Sequence, residues 1–247
     1  MTTRPTRATY QRSAASPSDR VTRRLLACGA IGPPLFLSVI IIEGALRPHY
    51  DPVEQMSSAL SLSDRGWIQI TNFVVTGLSM IAFAVGLRRA LPSGRACIAG
   101  PLMFSIFGAA LIGAGVFVGD PSDGYPPGSP SSPDAATTWH GTMHNAVSTG
   151  VFLSLAVACF VFARRYAAKP GQRVWALYCA ATGVALPVLQ PLLNVLTPGT
   201  ETGKGLIQKV TIAVGWGWIT LLATRLLRRH PEPTQHHLDQ DQAPFIA

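Results

Sequence analysis

The sequence predicts an all-α fold: a polytopic six-transmembrane-helix bundle with both termini cytoplasmic. Three observations predict it: six apolar stretches, Lys and Arg beside alternate ends of those stretches, and no polar stripe along the most apolar of them. Each stretch has roughly twenty residues, enough at about 1.5 Å per residue to cross about 30 Å of hydrocarbon. Because the membrane core offers no water to backbone groups, helices are the expected spanning form.

The predicted spans follow one another closely, and the series also fits three tandem helical hairpins. Residues 32–36 resemble residues 100–104, and an Asp-Pro pair follows each, at Asp51 and Asp120. The spans are about Leu25–Leu46, Trp67–Leu87, Ala96–Val118, Thr142–Ala163, Val174–Leu196 and Leu206–Leu227.

Positive charge separates the two sides of the predicted bundle. All but four of the 20 Lys and Arg lie on the side of both termini, and the exceptions are Arg47, Arg65, Lys204 and Lys209. The positive-inside rule makes that side cytoplasmic. The net charge of +8 is therefore mainly a topology signal. It does not indicate nucleic-acid binding, because the arginines flank spans and form no separate domain. The expected partner is the lipid bilayer.

Three regions follow from this topology. Residues 1–23 form a basic cytoplasmic tail that we expect to be disordered, and residues 24–229 form the membrane domain. Residues 230–247 are polar and proline-containing, and we expect a second disordered cytoplasmic tail.

Polar side chains in the spans are costly, and here they gather in the outer halves. This pattern predicts an outward-facing polar pocket above an apolar floor. The alternative is that these residues only mark helix ends in the headgroup zone. The candidate pocket or ligand-binding residues are Glu43, Asp51, Gln69, Asn72, Asp120, His140, His144, Asn145, Gln190 and Asn194.

Two histidines carry the candidate chemistry. His140 and His144 lie one helical turn apart, so both can face one point, as in helical metal sites. Asp120 is the first choice for a third ligand, and Asp123, Asp134 and His49 are others. Such a set suits zinc with an open position for water, whose pKa the metal lowers to near 7. However, Gly141 stands where the metalloprotease motif has Glu. Histidines that relay protons or only form hydrogen bonds remain the alternative.

Loop residues have simpler interpretations. Asp51 and Asp120 each precede Pro, which is typical of turns as well as of paired acids near the histidines. Glu43 and Arg47 are four apart in the order that favours an ion pair. The loop 47–66 predicts a short amphipathic helix on the membrane surface, and Tyr125 is the expected anchor of the long loop before His140.

Several of these motifs together resemble a known family. Tyr50-Asp51-Pro52, Asn72-Phe73, Asp120-Pro121 and the run 140–145, His-Gly-Thr-Met-His-Asn, are similar to a bacterial membrane family, domain of unknown function 998. The resemblance covers about Leu25–Leu227. It implies a six-span bundle in a bacterial cytoplasmic membrane and nothing firm about chemistry. It marks Asp51, Asn72, Asp120, His140 and His144 as family-defining.

Two functions from different classes therefore stay open. In the first, the pocket binds a small molecule or a lipid headgroup, for transport, sensing or scaffolding. In the second, the protein is a metal-dependent membrane hydrolase that uses His140, His144 and an outer-loop Asp, with zinc as the cofactor.

Overall fold

The structure is a computed structural model that describes residues 17–91, 94–122, 124–129, 137–196 and 203–229. For residues 190–196 it describes the path of the backbone, so the side chains of Gln190 and Asn194 lie outside it, as do Asp123 and Asp134. The all-α prediction is confirmed for this part of the chain, which contains no strand. The helices are α1 (Pro17–Leu46), α2 (Gly66–Ala90), α3 (Ala96–Val116), α4 (Trp139–Ala167), α5 (Arg173–Leu196) and α6 (Lys204–Arg229), with a short 3-10 helix at Ser57–Ser61.

Five of the six helices, all except α5, are long and apolar enough to cross a membrane. The part of α5 with described side chains, Arg173–Leu189, is apolar but shorter. The fifth predicted span, Val174–Leu196, therefore ends in the stretch for which only the backbone is described. α1 begins at Pro17, so residues 17–23 continue the helix outward from its apolar part as a polar extension.

The helix ends follow from local chemistry. Thr138 caps α4 by accepting a hydrogen bond from the N–H of Gly141 at 3.2 Å. α2, α4 and α6 each carry a pair of arginines in the last turn, where a cation complements the negative end of the helix dipole. These three helices end on the same side as the start of α1, which explains the charge asymmetry of the sequence.

The helices form a closed ring, in which each one packs against the next along the chain and α6 packs back against α1. The closest approach joins α2 to α3 through glycines. A Cβ built on Gly77 would lie 2.5 Å from the carbonyl oxygen of Gly108, and a Cβ on Gly108 would lie equally close to that of Gly77. Small residues therefore allow backbone contact here, as is common between membrane helices.

A column of aromatic rings fills the centre of the ring. Trp216 contacts the rings of Phe36 and Phe107 at centroid distances of 5.5 Å and 5.0 Å. The column continues through Phe104 to Trp218. The rings of these two residues are stacked, with an angle of 5° between their planes. The outer faces of the helices also carry large apolar side chains. Helices that are apolar on both their inner and outer faces indicate that the protein lies in a lipid bilayer.

Candidate functional site

The first loop, residues 47–65, folds back over one end of the ring. Its 3-10 helix buries Ser57, Leu60 and Ser61 against the bundle. The expected amphipathic helix on the membrane surface is therefore wrong, because protein rather than lipid covers the apolar side of this segment. We call this loop, together with Tyr125, the cap. The end of the ring under it is the cap end, and the opposite end, where α1 begins, is the basic end.

The beginning of α6 holds the cap in place. The N–H of Leu206 donates to the carbonyl oxygen of Val53, and Lys209 Nζ donates to that of Gln55, both at 2.9 Å. A Cβ on Gly205 would lie 2.3 Å from the same Gln55 oxygen. Glycine at this position is thus what lets the loop lie directly on the helix.

A buried ion cluster holds the base of the cap. Glu43, near the end of α1, accepts from Arg47 at 2.9 Å, as its spacing predicted, and also pairs with Arg65. Arg47 donates in addition to the carbonyl oxygen of Leu62 at 3.0 Å and to Ser63 Oγ at 2.7 Å. The Arg47 side chain is 3% exposed, so its charge depends on these partners for compensation.

Tyr125 connects the loop between α3 and α4 to this cluster. It is 1% exposed, and its hydroxyl lies 3.4 Å from Arg47 Nη1 and 3.2 Å from Ser63 Oγ. Its ring meets that of Tyr50 edge to face at 5.6 Å. Burial raises the pKa of the Tyr50 hydroxyl, which therefore stays protonated and donates to the Gln55 carbonyl oxygen at 3.1 Å. Tyr125 thus has the anchoring position that the sequence led us to expect.

The polar face of α2 points into the bundle. Gln69, Asn72 and Thr76 are all buried. Asn72 Nδ2 donates to Gln69 Oε1 at 3.2 Å and to the carbonyl oxygen of Phe36 at 3.3 Å. Gln69 Nε2 is buried and has no acceptor among the described residues. This face consequently presents one free amide donor to the interior.

Asp120 is occupied with the start of α4. Its two carboxylate oxygens accept from the backbone N–H of Thr138 at 2.8 Å and from the Thr138 hydroxyl at 2.6 Å. A Cβ on Gly141 would lie 2.0 Å from Asp120 Oδ2, so only glycine fits there. The glycine that breaks the metalloprotease pattern is thus needed for this contact.

The two histidines lie in different environments. His144 is buried, and its Nδ1 lies 2.7 Å from the carbonyl oxygen of Phe117. A carbonyl only accepts, so Nδ1 carries a proton and donates. His140 is exposed and packs on the ring of Trp139 at 3.8 Å. Asn145 is also exposed. Within the described residues, no group of three His, Cys, Asp or Glu is arranged to hold a metal ion.

Asp51 lies on the surface of the cap, where its side chain accepts from the N–H of Val53 at 2.8 Å. This is the turn geometry expected of an Asp before Pro. Of the ten candidate residues, the structure therefore brings Gln69 and Asn72 together in the interior and pairs Glu43 with arginines. Asp51, Asp120, His140, His144 and Asn145 are distributed over the cap and the α3–α4 end.

A cavity of about 40 Å³ lies beneath the cap. Two of its lining residues, Ser57 and Trp216, each carry a buried polar side-chain atom, Ser57 Oγ and the indole Nε1 of Trp216, that has no partner among the described residues. Ser58, Ser148 and Gln208 also line it, and Gln208 Oε1 accepts from the N–H of Ser57 at 2.7 Å. The remaining wall is apolar and includes three phenylalanines; its residues are Phe36, Phe73, Leu111, Ala114, Val151, Phe152 and Ile212.

None of the residues that line this cavity is among the ten candidate residues. Trp216, Phe36 and Phe152 look like ordinary span residues, and Ser57 belongs to a loop whose path the sequence does not define. One signal was available. Trp216 and Trp218 lie deep within a span, away from the headgroup zone where tryptophan is usually enriched.

The comparisons with known proteins give one match. The sequence model of a family described as "Protein of unknown function (DUF998)" matches residues 30–225, which include all of the ring except the outermost ends of α1 and α6. Neither the curated proteins nor the solved structures gave a match.

Proposed function

We propose that this chain, which belongs to the DUF998 family, binds the polar end of a small amphipathic molecule in the cavity beneath the cap. The supporting observation is that two residues of the partly aromatic wall, Ser57 and Trp216, carry buried donors, Ser57 Oγ and Trp216 Nε1, that lack protein partners in the described structure. A buried donor without an acceptor costs about 1–3 kcal/mol, so an incoming acceptor would recover that free energy.

The chemistry of the wall selects the class of ligand. An indole N–H only donates, so the ligand atom beside Trp216 must be an acceptor such as a carbonyl, ester or hydroxyl oxygen. The aromatic rings around it favour an apolar neighbour to that oxygen. A lipid ester group or a small apolar alcohol or ketone meets both requirements, whereas an inorganic anion accepts the hydrogen bond but has no apolar part, and a cation cannot accept it.

The size of the cavity limits what enters without rearrangement. A water needs about 10–15 Å³ of such volume, so 40 Å³ holds a few waters or one small functional group. A larger ligand requires the cap to move. The role that we propose is therefore recognition, in transport, sensing or scaffolding, by a six-span protein of the bacterial cytoplasmic membrane whose cap faces outward.

Mass spectrometry of the intact protein, released gently from its native membrane, tests this proposal. Wild type should retain a bound small molecule, and Ser148→Phe, which fills the cavity, should lose it. Thr149→Phe adds the same ring at the adjacent exposed position and should retain the molecule. Absence of a bound species in wild type, or equal retention by Ser148→Phe, would contradict the proposal.

A metal-dependent hydrolase using His140, His144 and Asp120 is the second candidate, and one observation favours it. Donation from His144 Nδ1 to a backbone carbonyl is the arrangement that orients metal-binding histidines, with Nε2 left for the metal. Asp120 would have to give up its contacts with Thr138. Elemental analysis separates the two functions: stoichiometric zinc in wild type that is lost in His144→Ala supports the hydrolase.

A further inference from the structure

The basic end contains an arginine that is held by aromatic rings and not by an acid. The guanidinium carbon of Arg225, near the end of α6, lies 4.9 Å from the ring centroid of Trp175 and 5.4 Å from that of Tyr166. Its Nη2 donates to Gln172 Oε1. Three parts of the chain, α6, α4 and the start of α5, thus fix the position of one cation.

Two buried donors at this position are poorly satisfied. Arg225 Nε has no hydrogen-bond partner among the described residues, and Trp175 Nε1 makes no hydrogen bond of ordinary geometry there, although it interacts with the Tyr166 hydroxyl. Because Trp175 stacks against the guanidinium, both N–H groups belong to the same small region. Such donors are normally satisfied in folded proteins, so their presence here indicates a missing acceptor.

The surrounding charges specify what kind of acceptor is missing. Arg165, Arg229 and Arg225 lie around Lys169, and their charges add to burial in lowering its pKa. Among the acidic residues that the structure describes, only Asp19 lies at the basic end. Within the described residues, the repulsion between these cations is therefore opposed by at most one carboxylate.

Helix dipoles do not account for this cluster. The arginines that end α4 and α6 face favourable C-terminal dipoles, but α5 begins at Arg173, where the dipole is positive. Gln172 and Trp175 lie at this same N-terminus, which by itself attracts anions. The α4–α5 loop thus adds to the positive potential around Arg225.

We propose that Arg225, Trp175 and Lys169 form a binding site for the phosphate group of an anionic membrane lipid. The planar guanidinium suits two phosphate oxygens, the indole N–H reaches a third acceptor, and Lys169 contributes a point charge at the rim. The site lies where a lipid headgroup would meet the ends of α4 and α6, and basic pockets between membrane helices are suited to such headgroups. It is at the opposite end from the cap and does not depend on the function proposed there.

Titration of short-chain phosphatidylglycerol into the full-length protein in a zwitterionic detergent tests the site. Binding should be saturable and much tighter than that of short-chain phosphatidylcholine. Arg225→Gln should weaken it by about tenfold or more, since a charge-assisted hydrogen bond is lost. Lys169→Gln should weaken it by about fivefold, as expected for one cation near the surface. The Lys169 side chain is partly exposed and makes no hydrogen bond in the described structure, so this variant should fold and keeps the test valid if Arg225→Gln does not fold.

Arg89→Gln is the matched control, because Arg89 is an exposed arginine at the same end, in the last turn of α2. Its affinity should stay within about twofold of wild type, since the charge lies outside the proposed site. If Arg89→Gln and Lys169→Gln weakened phosphatidylglycerol binding equally, the proposal would be overturned, because the lipid would then be attracted by diffuse surface charge. Equal binding of the two lipids would overturn it as well. Inorganic phosphate should compete only weakly, and competition as strong as that of the lipid would overturn the assignment to a lipid.

Discussion

At the scale of single residues, Arg47 determines how the cap is attached. Its side chain is 3% exposed and reaches Glu43, Leu62 and Ser63 at once. A buried cation is tolerated only where its partners replace the hydration that it has lost. Glu43 is the partner that supplies negative charge, so the cluster depends on that carboxylate more than on any neutral contact.

Glu43→Gln should destabilise the protein by about 3–5 kcal/mol, because it leaves the Arg47 charge buried without compensation. The thermal unfolding midpoint of purified protein should fall accordingly. Asp64→Asn removes an acid from the exposed surface of the same loop and should change stability by less than about 0.5 kcal/mol. A similar midpoint for Glu43→Gln and wild type would show that the cluster contributes no net stability.

Spacing along a helix predicted some side-chain partners and not others. The contact between Glu43 and Arg47 and the common face of Gln69 and Asn72 follow from helical geometry, which local sequence encodes. The partnership with Arg65 depends on the path of a loop in which Ser63 adopts a left-handed φ of 68°. Nothing in the residue spacing specifies that path. The two histidines show the same limit. Their spacing places His140 and His144 on one face of α4, but it does not tell that His140 is exposed while His144 is buried.

At the scale of elements, the pair α2–α3 shows how glycine sets helix separation. Gly77 and Gly108 face each other so that each carbonyl oxygen occupies the space of the other residue's missing Cβ. The sequence predicted the spans well because bilayer thickness fixes their length. It did not predict the contact, since many glycines occur in these helices and only a few face a partner.

Gly77→Ala should destabilise the protein by about 1–3 kcal/mol, because the new methyl group forces α2 and α3 apart. Gly108→Ala should act similarly, and the double variant should cost less than the sum, since the first substitution already separates the helices. Gly217→Ala on α6 is the control: a Cβ at this position would meet no described atom within 4 Å, so it should be neutral or stabilise by up to about 1 kcal/mol. Thermal unfolding of the four variants checks this. Equal effects at Gly77 and Gly217 would contradict close packing.

At the scale of the whole molecule, the ring separates two chemically different ends. The cap end combines acids with Arg47, Arg65 and Lys209, whereas the basic end carries nearly all of the other Lys and Arg residues that the structure describes. The sequence predicted this division from charge alone. It could not predict the closure of the ring, because contact between α1 and α6 joins the most distant spans and leaves no local pattern.

Cysteine labelling in intact bacterial cells tests the predicted orientation. In a variant without the native cysteines, Asp64→Cys in the cap should react with a membrane-impermeant maleimide. Ala168→Cys, at the exposed turn of the basic end, should react only after the membrane is opened, because positive charge is retained inside. Labelling of both positions in intact cells, or the reverse pattern, would contradict the orientation.

The attachment of the cap to α6 also has a consequence for biosynthesis. The carbonyl groups of Val53 and Gln55 receive their donors from Leu206 and Lys209, which the ribosome adds about 150 residues later. The loop 47–65 therefore cannot form these hydrogen bonds until four further helices and the start of α6 have been translated. A nascent chain that stops before the last helix leaves these two carbonyls without their donors and Tyr50 without the Lys209 ammonium over its ring.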